Sequence, residues 1–371
     1  MNRLSAALAA HRGAGKPLID LTVSNPTECG FQYDEEGILN ALRNPAALKY
    51  EPNPRGLAVA RDAVARYYAE RSAVVSNDDI FLTTSTSEAY SYVFRTLCNP
   101  DDEILIPAPS YPLFEFLADI QDVRLVHYPL VYDYGWQIDF HTLEQAITPR
   151  TRGVTVVHPN NPTGHFVKMD EIRKLNEICA ARGLAIIADE VFLDFALREK
   201  HAPTFAANSG ALTFTLSGLS KMCGLPQMKS AWLIVSGPEP LKEEALARLE
   251  VIADTYLSMN APIQWALPAF LGQRRDFQRQ LMTRVEENLL ELDRQLARQK
   301  SCSRLETEGG WNAVIRVPAT RTDEELSIEL LAGPGLYAHP GHFYDFVGER
   351  HIVLSLLAQW PDFAQGLAAL A

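Results

Sequence analysis

Hydrophobic and polar residues change rhythm repeatedly along this chain. Between about residues 57 and 236, short apolar, β-branched runs alternate with stretches whose apolar residues recur at helical spacing. Leu57 to about Ser72 carries Leu57, Ala60, Val64 and Tyr67/Tyr68 on one helical face. Strands are expected at Ile80–Thr83, Glu103–Ile106, Val123–Tyr128, Val154–Val157, Leu184–Ala188, Leu212–Leu216 and Trp232–Val235. Helices are expected at Ser87–Cys98, Leu113–Ile120 and Lys168–Arg182. Short apolar runs interleaved with helices predict a mostly parallel sheet covered by helices on both faces.

Beyond Pro238 the rhythm differs. Glu239–Tyr256 and Arg274–Lys300 read as long helices with i,i+4 charges, the second long enough to bridge two domains. Strand-like runs follow at Asn312–Val317, Leu336–Ala338 and Ile352–Leu357, with helices near Asp323–Leu331 and after Pro361. Residues 1–45 read as an arm and a short irregular lead-in, with a strand at Leu18–Val23 broken by Ser24-Asn25-Pro26-Thr27. The fold class expected is therefore α/β: a large domain at 46–270, and a smaller α+β domain made of 1–45 with 271–371.

Composition narrows the partners. A chain of 371 residues suits about two domains, and 47% hydrophobic with 22% charged residues suits a soluble globular enzyme. A net charge of −12 disfavours nucleic acid and anionic membrane, which need basic surface. Five cysteines without a CxxC pair read as reduced thiols, with no metal-ligand spacing. The first residues hold no long apolar segment and no run is long enough to span a bilayer, so a cytoplasmic location is expected.

Three stretches carry chemistry. Leu216–Trp232 sets Lys221 among Ser217, Gly218, Ser220, Cys223 and Gly224, between two apolar runs. A lysine on such a small-residue turn can be held against a ligand. Partial desolvation would make its neutral amine a nucleophile for carbonyls. His158-Pro159-Asn160-Asn161-Pro162-Thr163-Gly164 follows a predicted parallel strand, at the end where such sheets bind ligands. Ile186-Ile187-Ala188-Asp189 puts an acid at the end of an apolar strand, as a helix cap or as the partner of a buried cation. The glycine patterns of nucleotide-binding turns, G-x-G-x-x-G and G-x-x-x-x-G-K-[ST], are absent.

Read in order, Tyr50-Glu51-Pro52-Asn53-Pro54-Arg55-Gly56, Thr84-Ser85-Thr86-Ser87-Glu88-Ala89, Pro107-Ala108-Pro109-Ser110-Tyr111-Pro112, Asn160–Gly164, Asp189-Glu190 and Ser220-Lys221 form a set. The set resembles the fold type I pyridoxal-phosphate enzymes of the aspartate aminotransferase family (aminotransferase classes I and II), over nearly the whole chain. The resemblance implies pyridoxal 5′-phosphate as cofactor, an amino acid and a 2-oxo acid as substrates, and a homodimer with shared active sites. It implies that Lys221 forms the internal Schiff base and moves the proton. Asp189 pairs with the pyridine nitrogen, Asn161 donates to the phenolic oxygen, and Tyr111 stacks on the ring. Ser85, Thr86 and Ser87 open a helix at the phosphate. Tyr50 reaches the phosphate of the neighbouring subunit. Ser24 and Asn25 lie beside the substrate carboxylate, and Trp311 lines the substrate mouth.

Four positions depart from that pattern. Lys229 stands where an arginine usually holds the phosphate, a point charge in place of a bidentate fork. Gly218 stands where a phosphate-binding serine is common, and Phe192 where a tyrosine bonds the phenolic oxygen. Tyr90 and Tyr92 are candidates to replace that donor. Val353 occupies the place of the arginine that grips the substrate carboxylate, leaving Arg350, His351 and Arg316 as candidates to supply its charge. An aminotransferase is expected. A lyase of the same fold that cleaves a carbon–sulfur bond by β-elimination is the alternative.

Overall fold

The computed structural model describes residues 2–197, 203–348 and 350–370. Its strands in chain order are β1 (Ile19–Asp20), β2 (Ile80–Thr83), β3 (Glu103–Ala108), β4 (Arg124–Tyr132), β5 (Trp136–Ile138), β6 (Thr151–Val157) and β7 (Ala185–Asp189). They continue as β8 (Thr213–Gly218), β9 (Ala231–Ser236), β10 (Ser303–Arg304), β11 (Asn312–Arg316), β12 (Leu336–Tyr337), β13 (His339–Pro340) and β14 (His351–Ser355).

Strands β2 to β9 form one sheet in the order β2-β9-β8-β7-β6-β3-β4-β5. Strands β4, β3, β6, β7 and β8 run parallel. Strand β9 is antiparallel to β2 and β8, and β5 to β4. All five residues of β7 are buried. Ile186 and Ala188 enter the apolar cluster on one face, with Leu105, Val154 and Leu175. Ala185 and Ile187 enter the cluster on the other, with Ile104, Phe214 and Val93. Burial on both faces is why these strands read as unbroken apolar runs and not as alternation.

The second sheet, β10-β11-β14-β13, is antiparallel. Its inner face packs on the helix Ala261–Leu296 through Phe277, Leu281 and Val285, together with Ile19, Leu21 and Phe31 from the N-terminal segment. Strand β1 pairs in parallel with β12, which ties that segment to the second sheet.

Several expectations need correction. The arm at 1–45 contains helices at Arg3–Gly13 and Glu35–Ala41. The first buries only Leu4 and His11, so it shows no apolar stripe, and Asn2 caps it by accepting from the Ser5 N–H at 2.7 Å. The expected strand Leu18–Val23 shrinks to Ile19–Asp20, because only two residues of β12 pair with it. The helix expected from Arg274 begins at Ala261, capped by Asn260. Pro262 is harmless in its first turn, while Pro268 inside it masks the helical pattern. Strand β5 and the helix Phe140–Ala146, between two predicted strands, were not anticipated.

Candidate active site

The carboxyl ends of β2, β3, β6, β7 and β8 lie along one edge of the large sheet, and the segments leaving them converge on a cavity of about 430 Å³. This is where open parallel sheets gather ligands. Its walls include Ser24, Ser85, Thr86, Ser87, Tyr111, Asn161, Asp189, Phe192, Lys221, Lys229 and Trp311, eleven residues anticipated from the sequence.

Asp189 ends β7 and is 7% exposed. Its Oδ1 accepts from the Val191 N–H at 3.1 Å and its Oδ2 from the Tyr90 hydroxyl at 3.1 Å. Burial raises its carboxyl from 3.8 to about 6, opposed by those two bonds and by Lys221. Lys221 follows β8 on the single-turn helix Leu219–Met222. Its Nζ lies 5.0 Å from the centre of the Trp311 ring and 5.7 Å from that of Phe192. Burial holds its ammonium below the ordinary lysine range, with Asp189 opposing. Both groups are therefore carried toward their neutral forms by an apolar surrounding that lacks a further ion to pair with them.

Asn161 follows β6. Its Oδ1 accepts from Asn312 Nδ2 at 2.8 Å, which assigns its own Nδ2 as the donor left for the cavity. Tyr111, in the segment after β3, is 41% exposed and meets Phe114 edge-on at 6.2 Å. The helix Thr86–Leu97 starts at the cavity with Ser85 as its cap, the Ser85 Oγ accepting from the Glu88 N–H at 3.2 Å. Thr86, Ser87, Ser220 and Lys229 surround that helix start. Hydroxyls, a helix N-terminus and a lysine are groups that can together hold an anion.

Gly218 pairs with Ala231 across β8 and β9. A Cβ there would lie 2.8 Å from the Ala231 Cβ and 2.9 Å from the Ser230 carbonyl oxygen. The strands are too close at this point for the serine common in the resemblance. Phe192 packs edge-on against Trp311 at 5.2 Å, within the second core.

The opposite end is formed by Thr22, Ser24, Trp311, Asn312, His339, Tyr344, Val353 and Ser355. None of the charges considered for this end lines the cavity. Arg316 lies over the Tyr132 ring, His351 stacks on Phe346 at 4.6 Å with burial pushing it down to about 4, and Arg350 is exposed. Asn25 and Tyr50 also stand outside its walls. Asn25 Oδ1 accepts from the Thr27 N–H and hydroxyl, which caps a short turn. Tyr50 is 79% exposed and borders a separate cavity with Tyr92 and Ser258. Of the two tyrosines considered as replacements, Tyr90 reaches Asp189, and Tyr92 packs on Tyr256. Ser220 was noted from the sequence only as the neighbour of Lys221, and Asn312, His339 and Tyr344 were given no role. Asn312 adjoins Trp311, and His339 directly follows a predicted strand, which were the only signals. Among the described residues no group of three or more His, Cys, Asp or Glu side chains is arranged to hold a metal ion.

A lysine, an acid and an amide thus meet at the carboxyl edge of a mostly parallel sheet. The chain belongs to the aminotransferase class I and II family, whose profile matches residues 19–357. It is 30% identical over 260 residues to the glutamate-pyruvate aminotransferase AlaA of Escherichia coli K12, covering 70% of this chain and 64% of that protein. The chain thus spans just under two thirds of that relative. It is 27% identical over 351 residues to an alanine aminotransferase of Mycobacterium tuberculosis H37Rv, covering 92% and 76%. A crystal structure of an Escherichia coli aminotransferase matches with a TM-score of 0.88 and 25% identity, over 100% of this chain and 93% of the other.

Proposed function

We propose that this protein is a pyridoxal-phosphate-dependent aminotransferase that moves an amino group between an amino acid and a 2-oxo acid. The observation that carries the reading is the convergence of Lys221, Asp189 and Asn161 on one cavity whose far wall offers hydroxyls and Lys229. These residues suit pyridoxal 5′-phosphate. Asp189 is a buried carboxylate whose Oδ atoms each have one hydrogen bond, and a cationic ring nitrogen would relieve the cost of its burial. Asn161 Nδ2 would meet the phenolic oxygen and the start of the helix Thr86–Leu97 the phosphate, with Tyr111 against the ring.

When bound, the group supplies an aldehyde that links to amines and a conjugated ring that accepts negative charge from a substrate carbon. Lys221 Nζ is the amine that would hold it, and the same nitrogen, once free, would take the proton from the substrate carbon and return it at the neighbouring position. Burial lowers its proton affinity, which favours the neutral amine that a base needs. Asp189 would keep the ring nitrogen protonated. Trp311 and Phe192 keep water from the Lys221 side.

We further propose a homodimer in the cytoplasm, in which Tyr50 reaches the phosphate bound by a second copy. Leu48 and Tyr50 support this, being 93% and 79% exposed on one loop. Five free cysteines suit a reducing compartment. We assign residues 46–270 to a large domain and 1–45 with 271–371 to a small one. The helix Ala261–Leu296 crosses that boundary.

The deciding experiment is a half-reaction. The yellow protein is mixed with L-alanine or L-glutamate without any 2-oxo acid, and absorbance is followed. Stoichiometric bleaching, reversed by pyruvate or 2-oxoglutarate, is the expected result. Catalytic release of pyruvate and ammonia would replace the reading with elimination. A protein that never takes up the cofactor would end it.

A further inference from the structure

The substrate end of the cavity carries an apolar residue, Val353, where an arginine would be expected, and no arginine among the described residues lines the walls. A polar group on the adjacent strand is paired with that position. In the register of β13 and β14, His339 is the cross-strand partner of Val353. Directly paired residues on antiparallel strands project from the same face with Cβ atoms about 5 Å apart. Both line the cavity.

His339 is oriented by a second residue. Its Nδ1 lies 3.1 Å from the Tyr344 hydroxyl, and Tyr344 is itself 8% exposed. Among the described residues the Tyr344 hydroxyl has no other hydrogen-bond partner, and the bond can run either way, with the hydroxyl donating to Nδ1 or accepting from it. With the hydroxyl as donor the ring proton sits on Nε2, which has no protein partner among the described residues. Burial favours this neutral ring, opposed by the carboxylate of Asp20. In that tautomer the ring carries an N–H donor on the strand paired with Val353.

We propose that His339, positioned by Tyr344, is the residue that binds the substrate's α-carboxylate, through a hydrogen bond from Nε2–H. This rests on the aminotransferase reading above and deepens it. A single imidazole donor replaces a bidentate guanidinium, so the acid group is held by one contact that can turn about its axis. The site should then bind 2-amino acids more weakly than an arginine would, and discriminate less sharply against amines that lack the carboxylate.

The test compares two amine donors in the half-reaction of the holoenzyme: L-alanine, and 2-aminopropane, which has a methyl group where alanine has its carboxylate. Saturation constant and limiting rate are read separately from absorbance. His339→Ala is expected to raise the saturation constant for alanine about ten- to a hundredfold, the range of one charge-assisted hydrogen bond, with the limiting rate little changed. The constant for 2-aminopropane should stay as in the wild type. His339→Gln, which keeps an N–H donor, should recover part of the loss, and Tyr344→Phe should show a smaller loss of the same kind. An equal loss for both donors would make His339 structural only and overturn the proposal, as would an unchanged alanine constant in a variant that still binds cofactor. Wild-type protein that is bleached by neither donor would instead sink the aminotransferase reading itself.

Discussion

Asp189→Asn tests whether the site holds its charge at a cost that only the cofactor relieves. In the cofactor-free protein Asp189 is raised from 3.8 to about 6, chiefly by burial. A carboxyl whose folded value lies above its unfolded value binds more protons folded than unfolded between those two values. Stability then falls as pH rises from about 4 to 6 and stays lower above that range. At about 1.36 kcal/mol per tenfold change in proton affinity, the full penalty is roughly 3 kcal/mol at pH 8 and about half of that at pH 5. Asparagine keeps the shape and has no charge to bury: its Oδ1 can still accept from the Val191 N–H, while its Nδ2 takes the place of Oδ2 and donates to the Tyr90 hydroxyl. Glu190 adds to the effect with the same sign: burial raises it to about 7, and the Asp189 charge contributes. The expected outcome is a cofactor-free variant more stable than wild type, by up to about 3 kcal/mol at pH 8 and by about half as much at pH 5. Its affinity for pyridoxal phosphate and its turnover should fall steeply. The assay is urea unfolding of both cofactor-free proteins at the two pH values, with cofactor binding followed by absorbance. A variant no more stable at pH 8, or a gain independent of pH, would show that Asp189 is not a charge held at a cost.

Lys221→Ala should fold normally and lose both the absorbance band of the lysine-bound cofactor and at least about a thousandfold in turnover, measured by spectrum and steady-state rate. Gly218→Ser should cost about 1–3 kcal/mol in urea unfolding, because its Cβ would press on Ala231 and the Ser230 carbonyl. Tyr90→Phe removes the hydroxyl that donates to Asp189, and losing a donor to a charged form raises the carboxyl further. The acid-side fall of cofactor binding should therefore move to higher pH, as followed by absorbance titration. Lys229→Ala should weaken cofactor binding about tenfold or more, and Lys229→Arg should restore it.

The parts of the fold legible in the sequence share one property: burial of a strand or of one helical face leaves an apolar pattern within a local window. Strands β2 and β7, and the helices Thr86–Leu97, Met169–Arg182 and Glu239–Tyr256, fall within a residue or so of where apolar periodicity puts them. The parts that were missed are held by other means. The helix Arg3–Gly13 depends on a cap and two buried contacts, and β5 on pairing with one strand at the sheet's edge. The extent of β1 is decided by a partner more than three hundred residues away. None of these leaves a periodic trace in a local window.

The site divides along the same line. Lys221, Asp189 and Asn161 sit at the ends of strands that announce themselves, and their chemistry requires a particular residue type at each end. The order of motifs along the chain was therefore enough to assemble them. The end of the cavity lined by Val353 and His339 is built by pairing between β13 and β14, and there the sequence pointed to residues that do not line the cavity. Arg316, His351 and Arg350 are close to Val353 in the chain or in the next strand, but their side chains lie away from the cavity, over Tyr132, on Phe346 or on the surface. His351 is two residues from Val353, and Arg316 is the cross-strand partner of His351 on β11, so both share the face of Val353 but lie farther along it, against Phe346 and Tyr132. Val353 itself pairs with Val314 on β11 and with His339 on β13, and of these two His339 is the polar one. For a position inside a sheet, strand register thus names neighbours that distance along the chain does not.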